Sequence, residues 1–235
     1  MRLLFFILFP ISFAYCQHEI KHQNQVWFGY YLTIPLHNQW YLQGEVHERY
    51  FIKPFLYHQS AFRAHFHRPI GDKWDFSLGA ALFLNTPNDE YAKIRLAVPE
   101  YRPHLDIVYK NYWGIFRFDH RFRSEMRFNR GTNSNRSQLT DDINFINYRL
   151  RYRIQAQFPL FKSISGKLNS EILLNAGQEN PKNVLDQHRM FVGLAIPLHK
   201  SISLDFGYLH SFQQRSNLDY YDRSILSLML YHRIN

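Results

Sequence analysis

At 235 residues the chain is long enough for one large all-β domain or two small ones, and one is the better fit to a barrel or sandwich. Aromatic residues make up 17% of it, yet charged residues reach 20% and the mean hydropathy is −0.40, so apolar side chains must be diluted by polar ones at nearly every step. The formal charge of +9 is scattered at alternate positions rather than gathered into one run, which argues against a nucleic-acid interface, and a single cysteine excludes a disulfide framework or a cysteine-based zinc site.

Residues 1–16 read as a cleaved secretory signal. Arg2 supplies the positive end, Leu3 to Phe13 the apolar stretch, and Ala14-Tyr15-Cys16 the cleavage site. The stretch is too short for the roughly 20 residues of a membrane-spanning helix. Residues 17–235 then form a single domain of strand-like runs, expected at 25–36, 40–51, 55–68, 74–85, 98–110, 115–128, 143–158, 167–178, 188–198, 202–214 and 221–234. Bacterial single-chain barrels usually have an even strand count, so ten and twelve strands stand beside these eleven.

Several runs alternate strictly. Val26, Phe28, Tyr30, Leu32 and Ile34 share one face, as do Trp74, Phe76, Leu78, Ala80, Leu82 and Leu84, and again Ile146, Tyr148, Leu150, Tyr152 and Ile154. Each run is about one tilted bilayer crossing long, roughly 9 to 11 residues. The opposite face of 115–128 reads Arg117, Asp119, Arg121, Arg123, Glu125, Arg127, against Phe116, Phe118, Phe122, Met126 and Phe128. Connections at 37–39, 69–73, 111–114, 161–166 and 199–201 are short, whereas those at 86–99, 129–142, 179–187 and 215–220 are longer. Short turns at one rim and longer loops at the other predict an antiparallel up-and-down transmembrane β-barrel, periplasm below and outside above. A soluble periplasmic ligand-binding β-sandwich also alternates and is the rival architecture. Trp27, Trp40, Trp74, Trp113, Tyr57 and Tyr231, near strand ends, are expected to form interfacial aromatic girdles.

Several stretches carry a resemblance. They are Gln25-Val26-Trp27-Phe28, Glu45 with Arg49, Pro99-Glu100-Tyr101-Arg102, and His120-Arg121-Phe122-Arg123-Ser124-Glu125-Met126-Arg127. Asn147-Tyr148-Arg149-Leu150-Arg151-Tyr152-Arg153, Glu171 to Asn175 and Gln187-His188-Arg189-Met190-Phe191-Val192-Gly193 complete the set. Together, from residue 25 to about 193, they resemble the bacterial domain-of-unknown-function 2490 family, outer-membrane barrels mainly of the Bacteroidetes. The resemblance implies an outer-membrane location and a barrel, and no activity. Members tend to finish on an aromatic residue, whereas this chain ends Tyr231-His232-Arg233-Ile234-Asn235, which bears on assembly rather than fold.

Parity gathers one set of charges on the inner face: Glu45, Arg49, Glu100, Arg102, Arg117, Asp119, Arg121, Arg123, Glu125, Arg127, Arg149, Arg151, Arg153, Glu171 and Arg189, with Arg63 and Asp106. In a narrow lumen such charges must be paired or hydrated. They could plug the barrel as an ion-pair network, with Arg149, Arg151 and Arg153 held by Glu100, Glu125 and Glu171. In 117–127 and 149–153, however, seven Arg face only Asp119 and Glu125, which suits a narrow, anion-leaning pore. The expected partners are outer-membrane lipids, the barrel-assembly machinery and small anionic solutes, for a monomer with no cofactor. A lipid-modifying enzyme is the alternative, but no Gly-x-Ser-x-Gly elbow is present. His65, His67, His104, His120 and His210 lie on strands; His65 and His67 share one strand face and could bind a metal with Glu100 or His104, but no metal site is assigned without convergent ligands.

Overall fold

The computed structural model describes residues 19–177, 183–215 and 219–234, so the expected signal segment lies outside the described residues. Eleven strands follow one another: β1 Ile20–Pro35, β2 Tyr41–Phe51, β3 Leu56–Ile70, β4 Trp74–Asn85, β5 Val98–Trp113, β6 Phe116–Thr132, β7 Leu139–Phe161, β8 Ile164–Ala176, β9 Leu185–His199, β10 Ile202–Gln214 and β11 Tyr220–Arg233. Each pairs antiparallel with its successor, and β1 closes on β11 to leave no free edge. An odd count makes the first and last strands run the same way. The closing pair is therefore parallel, from Ile20↔Tyr220 to Thr33↔Arg233, in place of the all-antiparallel wall an even count would give.

Side-chain polarity is inverted relative to a soluble domain. Gln25, His65, Glu100, Glu125, Asn147 and Ser211 are almost wholly buried, whereas Leu78, Leu105, Phe122, Leu150 and Val192 are exposed around the outside. A β-sandwich would press those apolar faces against one another. Here each points away from the interior, and the sandwich is excluded.

Five tight turns lie at one rim, over 36–40, 71–73, 114–115, 162–163 and 200–201. Gly71 and Gly114 take φ of +58° and +57° there, a left-handed conformation that glycine adopts without steric penalty. The other rim carries the connections 52–55, 86–97 and 133–138, of which the first is a tight turn, and the ends of the connections that follow β8 and β10. Part of the loop expected over 129–142 is strand. β6 and β7 continue as a paired hairpin to Thr132↔Leu139, because the ladder holds polar residues that local composition assigns to a loop.

Trp40, Trp74 and Trp113 sit at the tight-turn rim, Trp40 stacked on Phe66 and Trp74 tilted against Tyr109. Trp27 and Tyr231 depart from the expected girdle. Both have the inward parity of their strands: Trp27 is 6% exposed, and Tyr231 stacks on Tyr31 inside the barrel at 4.5 Å.

Candidate functional site

Strand parity and a right-handed wall turn the charged faces of β2 to β9 inward, where they converge on one axis. Every residue of the expected network faces this interior, with Arg117 half-exposed at the tight-turn rim. Arg102 and Arg123 make bidentate forks, Arg102 to Glu100 at 2.8 and 2.9 Å and Arg123 to Asp106 at 2.5 and 2.6 Å. Arg127 also donates to Glu100 at 2.5 Å, Arg63 to Glu45 at 2.7 Å, and Arg117 to Asp119 at 2.8 Å.

Glu171 is the hub. It accepts from Arg121 at 2.5 Å and from Arg151 at 2.8 and 2.9 Å, with Arg189 at 3.6 Å. Arg151 reaches Glu125 as well, at 2.8 Å. The register explains the hub: Arg121 faces Arg153 and Arg123 faces Arg151 across β6 and β7, and such like-charge pairs are unfavourable without an anion between them. Glu171, opposite Arg153 on β8, supplies that anion to its neighbours.

Of the three pairings expected for β7, only that of Arg151 holds. Arg149 takes Asp186 at 2.9 Å instead of an expected glutamate, and Glu100 goes to Arg102 and Arg127. Arg153 has no carboxylate in ion-pair range and donates no hydrogen bond among the described residues, since Glu171 is saturated by three other arginines. Arg49 likewise lacks a carboxylate partner there; it bonds Gln59 and lies 3.9 Å over the ring of Trp27. Inward charges that escaped the sequence reading include Asp75, Lys167, Asp186, Asp205 and Arg223. Asp186 is the extra residue of a register shift in β9, so Asp186 and Gln187 are both buried and parity fails there. Lys167, Asp205 and Arg223 lie on strands whose inner faces mix polar and apolar residues, and simple alternation would have found them only by position.

The interior holds two adjoining cavities of about 290 and 230 Å³. The larger, toward the tight-turn rim, is lined by Arg49, Arg63, Arg121, Arg123, Arg151, Arg153, Lys167 and Arg189 against Glu45, Glu171 and Asp205. Trp27, Arg49, Arg63, Arg151 and Arg189 line both cavities and form the waist between them. Arg189 lies 5.4 Å over the Trp27 ring that Arg49 also covers, so both guanidinium groups gather at this waist. The smaller cavity is roofed by the connection 86–97. Asn88 Oδ1 accepts from Arg223 at 3.3 Å and its carbonyl from Gln23 at 2.8 Å, while Arg95 donates to the Tyr57 carbonyl at 2.8 Å.

The histidines divide by face. His65 and His104 meet inside, Nδ1 to Nε2 at 3.1 Å, with Asp106 near, but both Asp106 oxygens are engaged by Arg123. That leaves two nitrogens and an occupied carboxylate, a poor metal-ligand set. His67 bonds Asp75 at 2.8 Å, apart from that pair. His120 and His210 face outward, bonded to Tyr152 and Asp222. Ser170 and His188 also form an outward pair, 2.9 Å apart on the apolar wall. The backbone N–H groups around Ser170 belong to the β7–β8–β9 ladders, so none there is free to serve an oxyanion.

The family described as "Protein of unknown function (DUF2490)" matches residues 24–222. No curated protein matches the chain. Among solved structures, a NanC porin in a rhombohedral crystal form is 10% identical with a TM-score of 0.49, covering 84% of this chain and 90% of the porin chain.

Proposed function

The chain belongs to the DUF2490 family, and from its inverted polarity and the charge of its interior we propose that it is an outer-membrane barrel forming a narrow, anion-selective passage. The apolar outer wall suits a lipid environment, with Trp40, Trp74 and Trp113 at one headgroup level. The leader over residues 1–16 would deliver it across the inner membrane. The tight-turn rim then faces the periplasm and the connection 86–97 faces outside.

The observation that carries the reading is the lining of the larger cavity, where eight basic side chains meet three carboxylates and Arg49 and Arg153 have no acidic partner among the described residues. Low-dielectric walls focus that excess, raising the local concentration of anions and repelling cations. An anion entering at Arg223 would meet Arg127 and Arg149, then the waist, then Arg153 and Lys167. Binding at each step must be weak enough to release, and the resident glutamates serve that by competing for the same guanidinium groups.

The test is single-channel conductance of the refolded protein in a planar bilayer across a salt gradient. A steady current with anion preference supports the reading, and Arg153→Glu should shift the reversal potential toward cation preference. A well-folded barrel that stays silent would overturn the passage and leave the interior as a structural ion-pair filling.

A further inference from the structure

We propose that the larger cavity is a binding site for a multivalent oxyanion, of the phosphate or polycarboxylate class, seated between Arg49 and Arg153. The proposal rests on the anion-selective reading above and names the solute it would favour. Two observations carry it.

The first is the state of the donors. The Nε–H groups of Arg49, Arg63, Arg121, Arg153 and Arg189 are buried and have no acceptor among the described residues, and all belong to side chains lining this cavity, with Arg49, Arg63 and Arg189 lining the smaller one as well. A guanidinium presents planar N–H forks that match pairs of oxygens on one centre, and a halide cannot fill two of them in the same way. Around the cavity, then, donors are abundant and acceptors few, which is the complement of an oxyanion. Water could satisfy individual N–H groups but would leave the charge uncompensated.

The second is the charge balance. Even with Asp106 credited to Arg123 and Glu125 to Arg151, the carboxylates remain three short of the eight cations around the cavity. A monovalent ion leaves most of that excess in place, whereas a divalent anion removes most of it and a trivalent anion all of it. At about 290 Å³ the cavity approaches the size range of small-molecule sites. Trp27 lines it in contact range of two of the arginines, so occupancy should alter its emission.

The experiment uses the full-length refolded barrel with Trp40, Trp74 and Trp113, all at the tight-turn rim, replaced by Phe, leaving Trp27 as the reporter. Inorganic phosphate and citrate are titrated against chloride at matched ionic strength. Saturable change with phosphate or citrate, absent with chloride, is expected, and Arg153→Gln should weaken it about tenfold, the loss of one charge-assisted contact. Because Arg153 is unpaired, Arg153→Gln should fold at least as well as the parent without phosphate while losing stabilisation by phosphate. Arg153→Lys, which keeps the charge and loses the fork, should weaken phosphate binding too. An equal response to chloride, or an unchanged affinity in both variants, overturns the site. Anion-selective conductance without saturable binding would sink this inference and spare the passage; saturable binding in a silent barrel would do the reverse.

Discussion

Glu171→Gln should destabilise the barrel more than any other single neutralisation in its interior, because three arginines lean on that carboxylate from β6, β7 and β9. The side chain keeps its shape and loses its charge, leaving Arg121 with no other carboxylate in ion-pair range among the described residues. Removing one member of a buried pair costs about 3–5 kcal/mol. Arg151 keeps Glu125 at 2.8 Å, which places the expected loss near the lower end, about 3 kcal/mol. With a urea slope near 3 kcal/mol per molar, the unfolding midpoint in lipid vesicles should fall by about 1 M. Adding Arg121→Gln to Glu171→Gln removes the nearer of the two cations, Arg121 and Arg189, left without a carboxylate and should recover at least 1 kcal/mol, a coupling within the range for groups in one network. A shift below about 1 kcal/mol for the single variant, or strict additivity in the double, would show that the network is too well hydrated for pairing to govern stability.

On the outer wall, Leu150→Arg should cost about 2–4 kcal/mol of folding stability in lipid, and equal stability to the parent would refute the assigned facing. Reversing Arg149→Asp alone should strand a negative charge beside Asp186; the pair Arg149→Asp with Asp186→Arg should restore most of the loss in the same urea titration, and failure to rescue would refute the pairing. Gly79→Ala should lower stability by about 1–3 kcal/mol, since a Cβ there would meet the Ala64 carbonyl and His104 Nε2 at 2.6 Å; a neutral result would mean that β3 and His104 yield easily. Shortening the connection 86–97 should raise conductance, because it removes the roof held by Gln23, Tyr57 and Arg223; an unchanged current would place the limiting barrier at the Trp27 waist.

Alternation was legible in the sequence because the side-chain period of a strand is a local property. It placed Phe122, Leu150 and their neighbours on one face and the arginines of β6 and β7 on the other, and it located most of the strands and tight turns. Partner choice was not legible. Which carboxylate an arginine reaches depends on register and on the convergence of distant strands, so Arg149 takes Asp186 across a β9 irregularity that parity cannot anticipate. The same holds for Trp27, which near a strand end reads as an interface anchor but whose parity carries it inside against Arg49. Closure was decided at the largest scale: only the assembled wall brings β1 beside β11, and only then does an odd strand count become a parallel seam. The alternating chain thus determined what faces in and what faces out, while tertiary structure decided which charges neutralise each other and which, like Arg153, are left with a cavity in front of them.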